Sequence, residues 1–393
     1  MSVPSMTGAV DSQSPRKEKL PPTHYEKIVR FLRDKGGISI PADVKPLLES
    51  EGSSFISDTT LDDFLKQRAP SLHSLRYSQN QQMRSEYYAM RSAVAHAAAF
   101  SQSRRVFRLE RGLTQNLLYT SIGKVDARYV RSPFDSIYLT IPHNEELLLP
   151  NIRAGERLIT GCYLFCKEVD ATSVKIRAVE SASPVDTYIQ ASDKYGADKL
   201  YLIKLLAVSE GRGSSVTDLS DDFLFYGMFF LKDGEDLLKQ VATQAEENCM
   251  VKSDVPYMEA LMRFLVNTLL YMSSPSAAME RVEAKYEVAG KKASDREKSK
   301  IKVKNESVSK LGLISIGKGV SCLQGSSDYY DSTPLLKRVI GCPAWRVRGH
   351  WRAQPYGPDR ELRRVQWIKP FDKGKGMALG ATDERRDYKV GVT

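Results

Sequence analysis

The chain has 393 residues, of which 41% are hydrophobic and 27% charged, with a formal net charge of +10. That composition supports a real apolar core and excludes a mostly disordered chain, a collagen-like chain and a disulfide-dense miniprotein. No apolar run approaches the ~20 residues needed to span a bilayer, because the longest candidate, residues 261–272, is interrupted by Arg263 and Asn267.

The first 22 residues carry Pro4, Pro15, Pro21 and Pro22 and lack an apolar signal core. They read as a disordered tail, and the expected address is the cytoplasm, with no membrane partner. Residues 24–34 form an amphipathic helix, with Tyr25, Ile28, Val29 and Leu32 at helical spacing and Gly36-Gly37 as the stop. A second helix starts at Thr59-Thr60 and is expected to end at Pro70. A longer one covers residues 79–101, where the stretch Ala93 to Ala99 permits close packing. After Arg104-Arg105 the reading is again helical, through Gln115, Leu117 and Leu118.

The period then changes. Ile137, Leu139 and Ile141 alternate with Ser136, Tyr138 and Thr140, as a strand requires. Residues 158–168 and 173–179 are two further strands, joined in the expected reading by a hairpin turn at Asp170-Ala171-Thr172. Residues 199–208 and 223–231 are apolar runs of strand length. A helix is expected over 235–247, and a second, apolar nearly all round, over 256–272 with Asp254 as its cap. Residues 284–306 are dominated by Lys, Glu, Asp and Ser and read as an exposed charged excursion. Residues 311–316 resume a strand. The expected fold class is α+β: N-terminal helices packed on an antiparallel or mixed sheet, with a C-terminal basic β-hairpin joining it. The expected organisation is a disordered tail over 1–22, one domain over 23–373 and a flexible tail over 374–393.

The five cysteines (Cys162, Cys166, Cys249, Cys322 and Cys342) show no C-x-x-C spacing. They read as buried reduced thiols, with no metal or other cofactor implied. Cys162 and Cys166, four apart on a strand, should face the same side.

Charge is concentrated in two places: residues 337–375 carry a net +8 and residues 281–304 a net +5. The first stretch also holds all three tryptophans, Trp345, Trp351 and Trp367. Strict alternation puts Trp345, Val347 and Trp351 on one side of a strand, with Arg346, Arg348, His350 and Arg352 on the other. A loop over 353–361 contains Pro355, Gly357 and Pro358, and residues 362–369 return as the second strand, ended by Pro370. Such a hairpin has an aromatic face and a cationic face. Arg346, Arg348, His350, Arg352, Tyr356, Arg363, Arg364 and Lys369 are the candidate nucleic-acid or partner-binding residues. The competing reading is a charged edge that blocks unwanted pairing, with the tryptophans filling the core.

The chain lacks G-x-x-x-x-G-K-[ST], H-E-x-x-H, G-x-S-x-G and EF-hand patterns. Four of the five histidines, His24, His73, His96 and His143, sit in no ligand pattern. His350, beside several arginines and near Tyr356, is the one weak candidate for general acid or base chemistry.

The run Trp345-Arg346-Val347-Arg348-Gly349-His350-Trp351-Arg352, followed by Gly357 and Trp367-Ile368-Lys369-Pro370, resembles a C-terminal signature of proteins from plasmids, phages and integrative elements. That group is similar to an anti-CRISPR family that limits synthesis of type V-A CRISPR effectors. Arg131 to Leu139, Asn267 to Tyr271 and Ile314 to Gly319 resemble further segments of the same family. The signature usually carries an aromatic or His where this chain has Arg352. The resemblance implies a mobile-element protein that recognises a host protein or nascent polypeptide and represses its synthesis or activity, with RNA or the ribosome as further partners. It brings no established catalytic residues. The residues themselves leave open an RNA-binding or metal-independent RNA-cleaving protein, and a structural component with an ordinary basic surface.

Overall fold

Several strand segments are apolar at both odd and even positions, which dictates a sheet covered on both faces. The computed structural model describes residues 25–51, 55–142, 148–149, 157–177, 188–209, 223–249, 252–282, 312–320 and 345–373. The expected tails over 1–22 and 374–393 and the excursion over 284–306 lie outside them.

The chain opens with α1 (Tyr25–Gly36), α2 (Lys45–Glu51), α3 (Asp58–Arg68), α4 (Pro70–Ser74) and α5 (Gln81–Ser103). Ser57 starts α3, its hydroxyl accepting from the Thr60 amide at 3.3 Å. Pro70 opens α4, where a missing N–H costs nothing. β1 (Arg105–Leu109) and α6 (Arg111–Leu118) follow, then β2 (Ser136–Thr140), β3 (Leu148–Leu149), β4 (Arg157–Asp170), β5 (Lys175–Arg177), β6 (Tyr188–Gln190), α7 (Ala191–Tyr195), β7 (Lys199–Ser209) and β8 (Phe223–Leu231). α8 (Leu237–Asn248), α9 (Val255–Ser273), β9 (Met279–Arg281) and β10 (Gly312–Ile316) complete the body. β11 (Trp345–Val347), β12 (His350–Tyr356), β13 (Leu362–Ile368) and β14 (Phe371–Lys373) close the described chain.

The main sheet runs β8-β7-β4-β2-β1-β10-β9, with β3 also paired to β4. β1 is parallel to β2 and to β10, and the other pairings are antiparallel. Alternate residues feed two cores. Tyr138, Tyr163, Phe165, Leu202, Leu206 and Phe230 meet α1, α3 and α5 on one face. Ile137, Leu139, Cys162, Leu164, Cys166, Ile203 and Phe229 meet α6, α8 and α9 on the other. Cys162 and Cys166 thus share a face and are buried, and burial pushes the Cys166 thiol up to about 12. Tyr138 lies across β4 so closely that a Cβ at Gly161 would collide with its ring and hydroxyl, and the register shifts at that point.

The open edge of β8 is sealed by a helix. Gln240, Gln244 and Asn248, four residues apart on α8, present side-chain amides to the backbone of Lys232, Phe230 and Met228, two residues apart on the strand. Each amide accepts from the strand N–H (2.9, 2.7 and 2.8 Å) and donates to the same residue's carbonyl (3.0, 2.7 and 3.0 Å). Four helical residues rise ~6 Å and two strand residues ~6.8 Å, close enough for this ladder to stay in step.

The α+β class and the N-terminal helices on a mixed sheet match the sequence expectation. Four local expectations are corrected. Residues 105–109 are a central strand, not the start of a helix; β1 is held by parallel neighbours remote in sequence. The turn at Asp170-Ala171-Thr172 does not pair the strands on either side of it, since β5 pairs with β6 and β4 with β2, β3 and β7. Asp254 occupies the first position before α9 but makes no side-chain cap, its carboxylate accepting instead from the Ser253 hydroxyl at 3.3 Å. The C-terminal hairpin does not join the main sheet; it forms a ribbon of its own.

Candidate functional site: a rooted, projecting ribbon

β12 pairs with β13 and β11 with β14, in one continuous register: Val347 lies opposite Phe371 and His350 opposite Ile368. The ribbon is interrupted at Arg348-Gly349 because the chain there turns to the segment after α6. The Ser121 amide donates to the Gly349 carbonyl at 2.8 Å, and the Trp351 amide donates to the Ser121 carbonyl at 3.2 Å. Gly349 sits where a Cβ would press on the Thr120 hydroxyl and Pro370. The strand pairing is interrupted at this point, but the expected alternation carries through it: Arg348 and Arg352 are exposed, while Gly349 and Trp351 are buried.

Trp351, Val365 and Trp367 share the inner face and are buried in the core with α6 and α9. Asn267 of α9 is the hub of this root. Its Oδ1 accepts from the Trp351 indole N–H at 2.7 Å, and its amide nitrogen donates to the carbonyls of Leu117 and Thr120, both at 3.0 Å. The Trp367 indole N–H donates to the Thr120 hydroxyl at 3.2 Å, which in turn donates to the Asn116 carbonyl at 2.7 Å. Tyr271 packs edge-on against Trp367, with ring centroids 5.3 Å apart. Further along, the Tyr129 hydroxyl donates to the Arg363 carbonyl at 3.2 Å.

Beyond this root the ribbon leaves the core, and residues 356–364 are all exposed. Its outer face carries His350, Arg352, Gln354 and Tyr356 opposite Ile368, Gln366, Arg364 and Leu362. Arg352, Tyr356 and Arg364 are exposed together there, and the Arg364 guanidinium stands 5.6 Å from the centre of the Tyr356 ring. The remaining candidates disperse. Arg363 lies on the inner-face side opposite Pro355, with its guanidinium donating to the Arg360 carbonyl at 2.7 Å. Arg348 and Lys369 are exposed at the root. Arg346 lies opposite Asp372 in the separate β11–β14 piece. His350 is half-buried, its Nδ1 3.4 Å from the Arg348 carbonyl, and six residues of strand separate it from Tyr356, roughly 20 Å. The His, Arg and Tyr trio considered for RNA cleavage does not converge.

A second polar cluster escaped the sequence reading. Under α3 and α5, the Asp62 carboxylate accepts from Arg91 Nε at 2.6 Å, the Tyr87 hydroxyl at 2.7 Å, Arg76 at 3.1 Å and the Tyr188 hydroxyl at 3.4 Å. Asp58 accepts from Lys204 at 3.1 Å and pairs with Arg91 at 3.4 Å. Burial alone would raise the Asp58 pKa, but Arg91 and Lys204 overcome it and hold the carboxyl below the usual range. The available signal was two aspartates four apart on one helix, facing a tyrosine and an arginine four apart on another. Largely buried and ion-paired, the cluster is built as a strut between layers.

A protein-family model described as AcrVA2-like, the anti-CRISPR type V subtype A2 family, matches residues 107–371. The chain belongs to that family. The matched span takes in the main sheet from within β1, the Asn267 hub and the ribbon, while α1 to α5 precede it. Among solved structures, the crystal structure of AcrVA2 is similar at 12% identity and a TM-score of 0.45, covering 88% of this chain and 95% of that one. No curated protein matches the chain. Among the described residues, no helix is long and apolar enough to cross a membrane.

Proposed function

We propose that this chain is an anti-CRISPR-type binding protein of mobile-element origin. In the bacterial cytoplasm it recognises a host protein or nascent polypeptide and represses that target's synthesis or activity, with no chemistry of its own. Family membership supports the anti-CRISPR setting. The observation that carries the binding role is the ribbon: two buried tryptophans fix its root, while Arg352, Tyr356 and Arg364 stand exposed on its outer face. A rigidly rooted projection presents these groups with little ordering left to lose on contact. The test is expression in a host carrying a type V-A CRISPR system, reading effector level and interference. Both should fall with the wild-type chain and recover with the Arg352→Glu/Arg364→Glu variant. Unchanged effector level and interference in the presence of the wild-type chain would refute the reading.

The second reading is RNA contact by the same ribbon, favoured by its arginines and by the exposed Tyr356 ring. Affinity for single-stranded RNA would then fall with salt, with a log–log slope near roughly −0.7 per phosphate neutralised. Loss of cleavage with retained binding in His350→Ala would be required for any catalytic version of it.

A further inference from the structure

The tip of the ribbon carries an apolar pair that the cationic pattern alone does not account for. Tyr356 and Leu362 lie directly opposite each other on the outer face and are 42% and 51% exposed. Arg352 and Arg364 follow on the same face, and Arg360 stands at the turn. The turn itself is tightly set: Gly357, Asp359 and Arg360 all have positive φ (82°, 54° and 57°), two of them in residues that rarely adopt it. The Arg364 guanidinium stands against the Tyr356 ring, so the tip presents an apolar pair with a cationic surround. Tyrosine and arginine are among the residues enriched in protein-binding hot spots.

Resting on the target-binding reading above, we propose that the outer face of this tip docks on an acidic protein surface. An apolar side chain of the partner would seat against Tyr356 and Leu362, and its carboxylates would pair with Arg352, Arg360 and Arg364. Charge complementarity selects this occupant. A second copy of the chain would bring like-charged tips together. The chain's own stretch 281–304 carries a net +5 and would be repelled. RNA fits less well: Leu362, at the centre of the tip, offers a base no ring to stack on.

The experiment replaces Tyr356 with the photo-crosslinker benzoylphenylalanine in the full-length chain, expressed in the type V-A host, with Glu26 on α1 replaced as control. The expected product is a discrete, nuclease-resistant protein adduct at position 356 only, whose crosslinked peptide is rich in Asp and Glu. It should vanish with Arg352→Glu/Arg364→Glu. With that peptide as probe, Tyr356→Ala should weaken binding by about tenfold or more, and Arg364→Glu should be rescued by a carboxylate→Lys exchange in the peptide. A nuclease-sensitive adduct, an adduct to a second copy, or no adduct would each overturn the inference. Effector suppression by the wild-type chain is read in parallel. Suppression without an adduct sinks the tip and leaves the proposed function standing; an acidic-protein adduct without suppression does the reverse.

Discussion

Beneath α3 and α5, two aspartates face two arginines and a lysine. On the opposite side of the sheet, Asn267 ties α6, α9 and the ribbon together with no charge at all. Both devices solve the same problem, which is to fix several elements in one geometry where water is excluded. The ionic cluster attains strong attraction in a low-dielectric setting but must overcome the desolvation of every charge. The amide hub has both donors and its acceptor engaged, so little is left unsatisfied and nothing titrates. Apart from Lys204 and Tyr188, the residues of the first device precede the family match, and the second device lies in the layer that holds the ribbon. Their difference implies that acid should loosen the N-terminal layer before it loosens the ribbon root.

The largest expected effect comes from breaking the ionic side. Asp62→Ala removes the carboxylate that Arg76 and Arg91 share, leaving the buried cations with Asp58 as the one remaining carboxylate of the cluster, and should cost about 3–5 kcal/mol in urea unfolding. On the amide side, Asn267→Leu keeps the branched shape but strands the Thr120 carbonyl and the Trp351 indole N–H, and leaves the Leu117 carbonyl only the Thr120 amide at 3.1 Å. Its cost should be about 3 kcal/mol. Tryptophan fluorescence is the natural probe, since two of the three indoles stand at this root. An Asn267→Leu protein as stable as wild type would show that the ribbon is held by tryptophan packing alone.

The pH profile sharpens the contrast. His96 lies on α5 beside Phe55 and Tyr163, and burial, helped by the Lys204 ammonium, pushes its pKa down to about 3. A histidine depressed in the folded state takes up its proton more readily when unfolded, so stability is lost as pH falls below the unfolded value of ~6.5. Between pH 6.5 and 5 the loss approaches about 2 kcal/mol, and His96→Phe should flatten it. Asp58 acts in a lower window. Its carboxyl is held down by Arg91 and Lys204 against the pull of burial, so its contribution is complete above ~4 and disappears as pH drops further. Equilibrium unfolding from pH 7 to 4 decides the matter, and a profile unchanged by His96→Phe would contradict the assigned burial.

How much of this was legible beforehand differs between the layers. The fold class, β8, α9 and the shared face of Cys162 and Cys166 follow from periodicity, because each segment is long or alternates cleanly. β1 was hidden because five residues bracketed by Arg104 and Glu110 show too little pattern, and its parallel partner β10 lies some 200 residues away. The tryptophan face of the ribbon was readable, but the break at Arg348-Gly349 was not, since it depends on Ser121. The ionic cluster required knowing that α3 and α5 face each other. Arg352, Tyr356 and Arg364 fall on one face because β12 and β13 are in register, whereas Arg363 has the opposite parity and lies on the inner-face side.

The smallest expected effect on stability belongs to the ribbon tip. Tyr356 and Leu362 belong to neither core cluster, and Arg352 and Arg364 are exposed. Tyr356→Ala should therefore shift unfolding by no more than about 0.5 kcal/mol, the Arg364 contact being a surface cation–π pair of similarly small worth. A tip built to be looked at from outside can be altered without disturbing its root, whereas Asn267→Leu should disturb both. If Tyr356→Ala instead unfolded with Asn267→Leu, at a comparable cost, the tip would be part of the core's support and its exposed tyrosine would need no partner to explain it.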